Sequence, residues 1–156
     1  MGEIREEIRK AKQADPEVRR TMLAEDHNCA ETVVLLGNER YGLGLSDDAF
    51  RLLSGFGGGM CVGKTCGAVT GAIAVLGKLA VKDRAHRTEN WHELVEGLFT
   101  AMNEAFGATD CDDIVPLYRT EEERCCATVD LALEVLDDYL REQGLTGPDG
   151  RGAAEG

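Results

Sequence analysis

Apolar residues recur along this chain at intervals of three and four, and no useful stretch alternates apolar and polar with a period of two. That is the periodicity of helices rather than strands. Residues 2–12 and 15–24 read as charged amphipathic helices, broken near Asp15-Pro16, where proline suits a first helical position. A helix capped by Asp26 or Asn28 then runs to about Tyr41, with Cys29 in its first turn. Ala30, Val33, Val34, Gly37 and Tyr41 share its inner face. Gly42-Leu43-Gly44-Leu45 is a break, and Ser46-Asp47-Asp48 caps a short helix over 47–54. The next helix, over 65–82, is apolar at almost every position, so it is either central in a bundle or membrane-spanning. Lys64, Lys78, its glycines and its short span favour the bundle. Thr88 caps a helix to about residue 104, with Trp91, Leu94, Val95, Leu98, Phe99 and Met102 inward. The stretch over 109–114 reads as a loop or short helical turn, which Pro116 interrupts. The last helix spans 120–141, with Glu121, Glu122 and Glu123 complementing its N-terminus. Cys126, Val129, Leu133, Leu136 and Leu140 share its core face. Cys125 is turned about 100° away. The pattern predicts an all-α fold, a single-domain bundle of about five to seven helices around a central buried one. It divides into an N-terminal helical extension (1–25), a cysteine-bearing helical domain (26–142) and a flexible tail (143–156).

Composition narrows the function. The 156 residues carry a net charge of −12. That argues against nucleic acid, which needs a basic patch, and against anionic membrane surfaces. It favours a cationic or protein partner. The N-terminal stretch reads as a charged helix and not a signal peptide. Arg19-Arg20 is followed by no apolar segment, which disfavours a twin-arginine signal. The expectation is a cytoplasmic protein without membrane insertion. Six cysteines in such a chain point to metal or redox chemistry rather than structural disulfides.

The densest chemistry lies at Gly55-Phe56-Gly57-Gly58-Gly59-Met60-Cys61-Val62-Gly63-Lys64-Thr65-Cys66-Gly67. Within it, Gly58 to Thr65 matches the phosphate-cradling pattern G-x-x-x-x-G-K-[ST]. A phosphate loop needs a buried strand before it and a parallel sheet around it, and the sequence offers neither, so nucleotide binding is not expected. The thiols carry the better signal. Cys66 and Cys29 each stand at a helix start, where free N–H groups and the helix dipole favour thiolate. Cys66 is the best-placed attacking or ligating sulfur on that ground. Cys111 sits among Asp110, Asp112 and Asp113, which oppose a lone thiolate, so it suits a resolving thiol or a metal ligand. Cys126 is a ligand or an inert packed thiol. His27 lies beside Cys29, and histidine is a common ligand, but a cap histidine is more often plain surface. His86 and His92 read as solvated. No Ser/His/Asp set, carboxylate pair or H-E-x-x-H motif is present.

Cys66-Gly67-Ala68-Val69-Thr70-Gly71 is a C-G-A-x-x-G motif, with Cys29 upstream in an Asn-Cys-Ala helix start and Cys111 and Cys126 downstream. Cys126-Ala127-Thr128-Val129-Asp130-Leu131-Ala132 gives C-x-x-V-x-x-A. From Cys29 to Leu140 the chain resembles the C_GCAxxG_C_C family of putative redox-active proteins. The resemblance implies a small helical protein of redox function, for which an iron–sulfur group has been suggested. It maps the family cysteines to Cys29, Cys66, Cys111 and Cys126, with Cys61 and Cys125 as extras.

Three readings follow. The first is electron transfer or redox sensing through an iron–sulfur cluster, with the metal ligands Cys29, Cys66, Cys111 and Cys126. The second is cluster-free thiol–disulfide exchange, with Cys66 attacking and Cys29 or Cys61 resolving. The third is a structural zinc or interaction module of a larger redox complex. Backbone N–H groups of Gly57, Gly58, Gly59 and Gly67 are placed to hold cluster sulfides or a thiolate in either active reading. A redox partner protein is expected, and the last apolar helices suit a homodimer.

Overall fold

The computed structural model describes residues 13–147. The predicted helix over 2–12 and the tail from 148 onward lie outside the described residues. Seven α-helices and no strand occur among the described residues, in one all-α domain. The first, α1 (Pro16–Arg19), has its proline at the first position and continues into a single wide turn, Arg20–Ala24. Ala14, Val18 and Met22 are buried, so this segment belongs to the same core as the rest.

Helix α2 (Cys29–Tyr41) begins on a reciprocal cap. The Glu31 amide donates to Asn28 Oδ1 at 2.9 Å, and the Asn28 amide donates to Glu31 Oε1 at 3.1 Å. Two helix-end donors are thereby satisfied, an arrangement worth about 1 kcal/mol. The inner face is the predicted one: Ala30, Val33, Val34, Gly37 and Tyr41 are all buried. Helix α3 (Asp47–Arg51) and a short turn (Ser54–Phe56) lead into the glycine-rich strap. Helix α4 (Gly67–Ala80) is the central one, packed against α2, α5 (Trp91–Phe106) and α7 (Cys126–Glu142). It lies close on α2 because Gly37 and Gly71 stand at the crossing. A Cβ on Gly37 would come within 2.8 Å of Val75, and one on Gly71 within 2.9 Å of the Ala30 carbonyl. This crossing sets the starts of α2 and α4 side by side.

Several boundaries differ from the sequence expectation. Helix α4 starts at Gly67 rather than 65, which leaves Cys66 as its N-cap. Helix α5 starts after Asn90 (φ 57°) rather than at Thr88, whose hydroxyl instead donates to the Arg84 carbonyl at 2.9 Å. Phe99, expected inside, is 37% exposed. The stretch read as a loop is a helix, α6 (Cys111–Tyr118). Pro116 stands inside it and removes one internal bond without ending it. The last helix begins at Cys126. Residues 120–124 form a closed turn instead, in which the Thr120 amide donates to the Arg124 carbonyl at 3.1 Å and Arg124 takes a φ of 50°. At the other end of α7, the chain folds back after Gly144, the Leu145 amide donating to the Leu140 carbonyl at 2.9 Å, and Thr146 is buried.

Candidate thiol site at four helix starts

One cavity of about 230 Å³ is lined by four cysteines, Cys29, Cys66, Cys111 and Cys125. Each stands at the start of a different helix. Cys29 is the first residue of α2, Cys66 the N-cap of α4, Cys111 the first residue of α6 and Cys125 the N-cap of α7. Four helix N-termini therefore meet at one place, and such ends favour negative charge.

The local chain explains the convergence. Thr65 and Asp110 form an antiparallel bridge. The Cys66 amide donates to the Thr109 carbonyl at 2.8 Å, and the Cys111 amide donates to the Lys64 carbonyl. These two bonds clamp the loop before α4 to the loop before α6, so Cys66 and Cys111 enter the cavity together. Gly67 brings in Cys29, because the space its missing Cβ would fill is occupied by Cys29 Sγ. The closed turn over 120–124 presents Cys125. Arg119, at its base, donates to Cys125 Sγ at 3.5 Å.

The glycine strap closes one side. Gly58, Gly59, Met60 and Cys61 are all left-handed, with φ between 58° and 64°. Four consecutive residues in that region turn the chain tightly, and non-glycine residues hold it only at a cost. Of the expected glycines, Gly58 lines the cavity. Gly57 packs on the side chain of Asn28 and Gly59 on the backbone of Lys64, so these two shape the strap. The phosphate-loop pattern lies in this strap, with no strand before it among the described residues.

The electrostatics run opposite to the sequence expectation. The N–H groups of Ala68 and Val69 do ease ionisation of Cys66, as a helix start should, but burial outweighs them. Burial, with the neighbouring sulfurs of Cys29 and Cys111, pushes the Cys66 thiol up to about 12. Cys29 is also raised, by burial first and then by Cys125, against the N–H groups of Gly58 and Ala30. Cys111 is raised by burial, Cys125 and Asp112, with Arg119 opposing. Desolvation of a charge in a low-dielectric site is the common cause.

Cys126 does not enter the cavity. It is fully buried in the hydrophobic core and raised to about 11, by burial and then Glu123. The helical phase placed Cys126 inward and Cys125 aside, and both hold. The thiol site, however, lies at the ends of the helices rather than in the bundle core, so the inward residue misses it. Cys61 is exposed on the strap and donates to the Gly57 carbonyl at 3.6 Å, away from the four. No disulfide links any of the six. Sequence reasoning also missed Arg119, Arg124 and Thr128, which line the cavity with His27. The helix start at Cys125 was hidden in the sequence, because the last helix was read from residue 120.

Residues 27–139 match the family described as Putative redox-active protein (C_GCAxxG_C_C), and the chain belongs to that family. No curated protein and no solved structure is detectably similar to it.

Proposed function

We propose that this redox-family protein transfers electrons or senses redox state through an iron–sulfur cluster held by Cys29, Cys66, Cys111 and Cys125. Cys125, which lines the cavity, stands here in place of Cys126, the fourth thiol implied by the family resemblance. The observation that carries the reading is the meeting of four thiols at four helix starts around one cavity. Four cysteine thiolates are the common donor set for such clusters. Among the described residues, no three Cys, His, Asp or Glu side chains are grouped closely enough to hold one metal ion. A single zinc ion needs all four ligands at one point. The four thiols around the cavity match the donor set of a cluster in number and kind. The residues fit the group on that count.

When bound, a cluster supplies one-electron transfer at a potential set by its burial and by hydrogen bonds to sulfur. The protein's own part is electrostatic. The sulfurs resist ionisation while buried together, and a bound cation removes that resistance. The N–H groups at the helix starts and at Gly58 then face a negatively charged sulfur set. Electrons are exchanged with a redox partner protein. Cluster-free disulfide exchange has less support, because it needs an attacking thiol of lowered pKa and Cys66 is shifted the other way.

The test is anaerobic purification followed by reconstitution with iron and sulfide. Visible spectrum, iron, acid-labile sulfide, zinc and free thiols are measured on wild type, Cys125→Ser and Cys126→Ser. Wild type and Cys126→Ser should be brown, with iron and sulfide bound, and Cys125→Ser should lose most of both. Loss in Cys126→Ser with retention in Cys125→Ser would return the fourth ligand to Cys126. A colourless reconstituted wild type with thiols that pair and reopen under mild reductant would establish disulfide exchange instead. Zinc bound without redox change would establish the structural module.

A further inference from the structure

Thr128 is one of the polar side chains that line the thiol cavity. It lines the cavity with the four cysteines and is 2% exposed, and its hydroxyl has no hydrogen-bond partner among the described residues. A threonine in a helix ordinarily donates to a carbonyl one turn back. Others in this chain do so: Thr21 to Glu17 at 2.8 Å, Thr32 to Asn28 at 2.7 Å and Thr70 to Gly67 at 3.1 Å. Three residues back from Thr128 the Cys125 carbonyl already accepts the Val129 amide at 3.0 Å, and four back, as for Thr21 and Thr32, stands the carbonyl of Arg124. It lies outside the helix, on a residue with a φ of 50°, and already accepts the Thr120 amide. The turn that presents Cys125 thus also removes the usual acceptor of Thr128.

The other polar groups around the cavity are donors or are engaged. Arg119 donates to Cys125 Sγ, and Arg124 pairs with Asp26 at 3.1 Å. Asn28 is held in its cap and donates to the Ser54 carbonyl at 3.1 Å, and His27 lies 3.5 Å from Glu31. Sulfur is what remains to accept from Thr128. A buried hydroxyl is rarely left without a partner. From this geometry we infer that Thr128 donates a hydrogen bond to sulfur of the group bound in the cavity, and raises its reduction potential. The inference rests on the cluster reading above. Thr128 acts here through sulfur and binds no metal. A donor on sulfur draws electron density from the metal centre and favours its reduced form.

The variants are Thr128→Val, which keeps the shape and removes the hydroxyl, and Thr128→Ser, which keeps the hydroxyl. Both are compared with wild type after anaerobic reconstitution with iron and sulfide. The midpoint potential of Thr128→Val should be lower, with unchanged iron and sulfide per chain, and that of Thr128→Ser should stay near wild type. The metal-free proteins give a second reading. There the hydroxyl is buried without a partner, so metal-free Thr128→Val should melt above metal-free wild type. Unchanged potential in Thr128→Val, or an equal shift in both variants, would overturn the inference while leaving the cluster intact. Lower melting of metal-free Thr128→Val would overturn it as well, by showing the hydroxyl already paired. Failure of wild type itself to take up iron and sulfide would overturn the cluster reading, and this inference with it.

Discussion

At Cys66 two effects of a helix start compete. The amides of Ala68 and Val69 favour thiolate, and burial opposes it more strongly. A helix-end interaction is worth up to about 2 kcal/mol in favourable sites, whereas desolvating a charge costs several. The neighbouring Gly67 shows how narrowly the sulfurs are placed. A Cβ there would overlap Cys29 Sγ and come within 2.9 Å of the Phe56 carbonyl. Gly67→Ala should therefore destabilise the metal-free protein by about 1–3 kcal/mol, despite the better helix propensity of alanine. It should also cut iron uptake sharply, because Cys29 must move. Gly77→Ala is the control. Its Cβ would meet Trp91 at 3.6 Å, an ordinary contact, so it should be neutral or gain up to about 1 kcal/mol. Urea unfolding of both metal-free variants, with iron per chain after reconstitution, separates the two cases.

At the scale of elements, helix starts decide both fold and site. Asn28 caps α2, one residue before Cys29, and its side-chain amide also ties the turn at Ser54 to that cap. Asn28→Ala should cost about 1–2 kcal/mol in urea unfolding and loosen the strap. Proteolysis in the strap should become faster, and an unchanged cleavage rate would show that the tie to Ser54 matters little. These starts also mark where sequence reasoning succeeded and where it stopped. The all-α class, the α2 face and the central α4 were legible because each rests on a local period or a cap. The last helix was not placed correctly. Glu121, Glu122 and Glu123 read as a first helical turn, yet they belong to a turn closed by Thr120 and Arg124. Nothing local distinguishes three acids in a first turn from three acids just before one. Cys126 entered the site reading through the family resemblance, whereas Cys125 is the thiol that lines the cavity. Cys29 and Cys66 were legible from their places near helix starts, and Cys111, read within a loop or short helical turn, from the family resemblance. Arg119 and Thr128 were not, since only the tertiary turn brings them to the cavity.

For the whole molecule, the thiols set how stability responds to pH. In the metal-free, reduced protein Cys66 is raised to about 12 and Cys126 to about 11, against an ordinary value of 9.0, and Cys29 and Cys111 move in the same direction. Above about pH 9 the unfolded chain loses these protons while the folded chain keeps them. The folded state then binds more protons than the unfolded one, so unfolding free energy falls as pH rises. This contribution is fully present below about pH 9 and is lost progressively toward pH 11–12. Loading the cavity reverses the sign of the coupling. Ligation requires thiolates, so it releases protons, and affinity for the metal group rises with pH. Urea midpoints of the metal-free protein should accordingly fall from pH 8 to pH 10, and uptake of iron and sulfide should grow stronger over the same interval. Substituting Cys126 by alanine separates the two effects, because Cys126 lies in the core and outside the cavity. That variant should lose part of the alkaline destabilisation and keep the pH dependence of uptake. If it lost the pH dependence of uptake instead, Cys126 would have to be counted among the ligands.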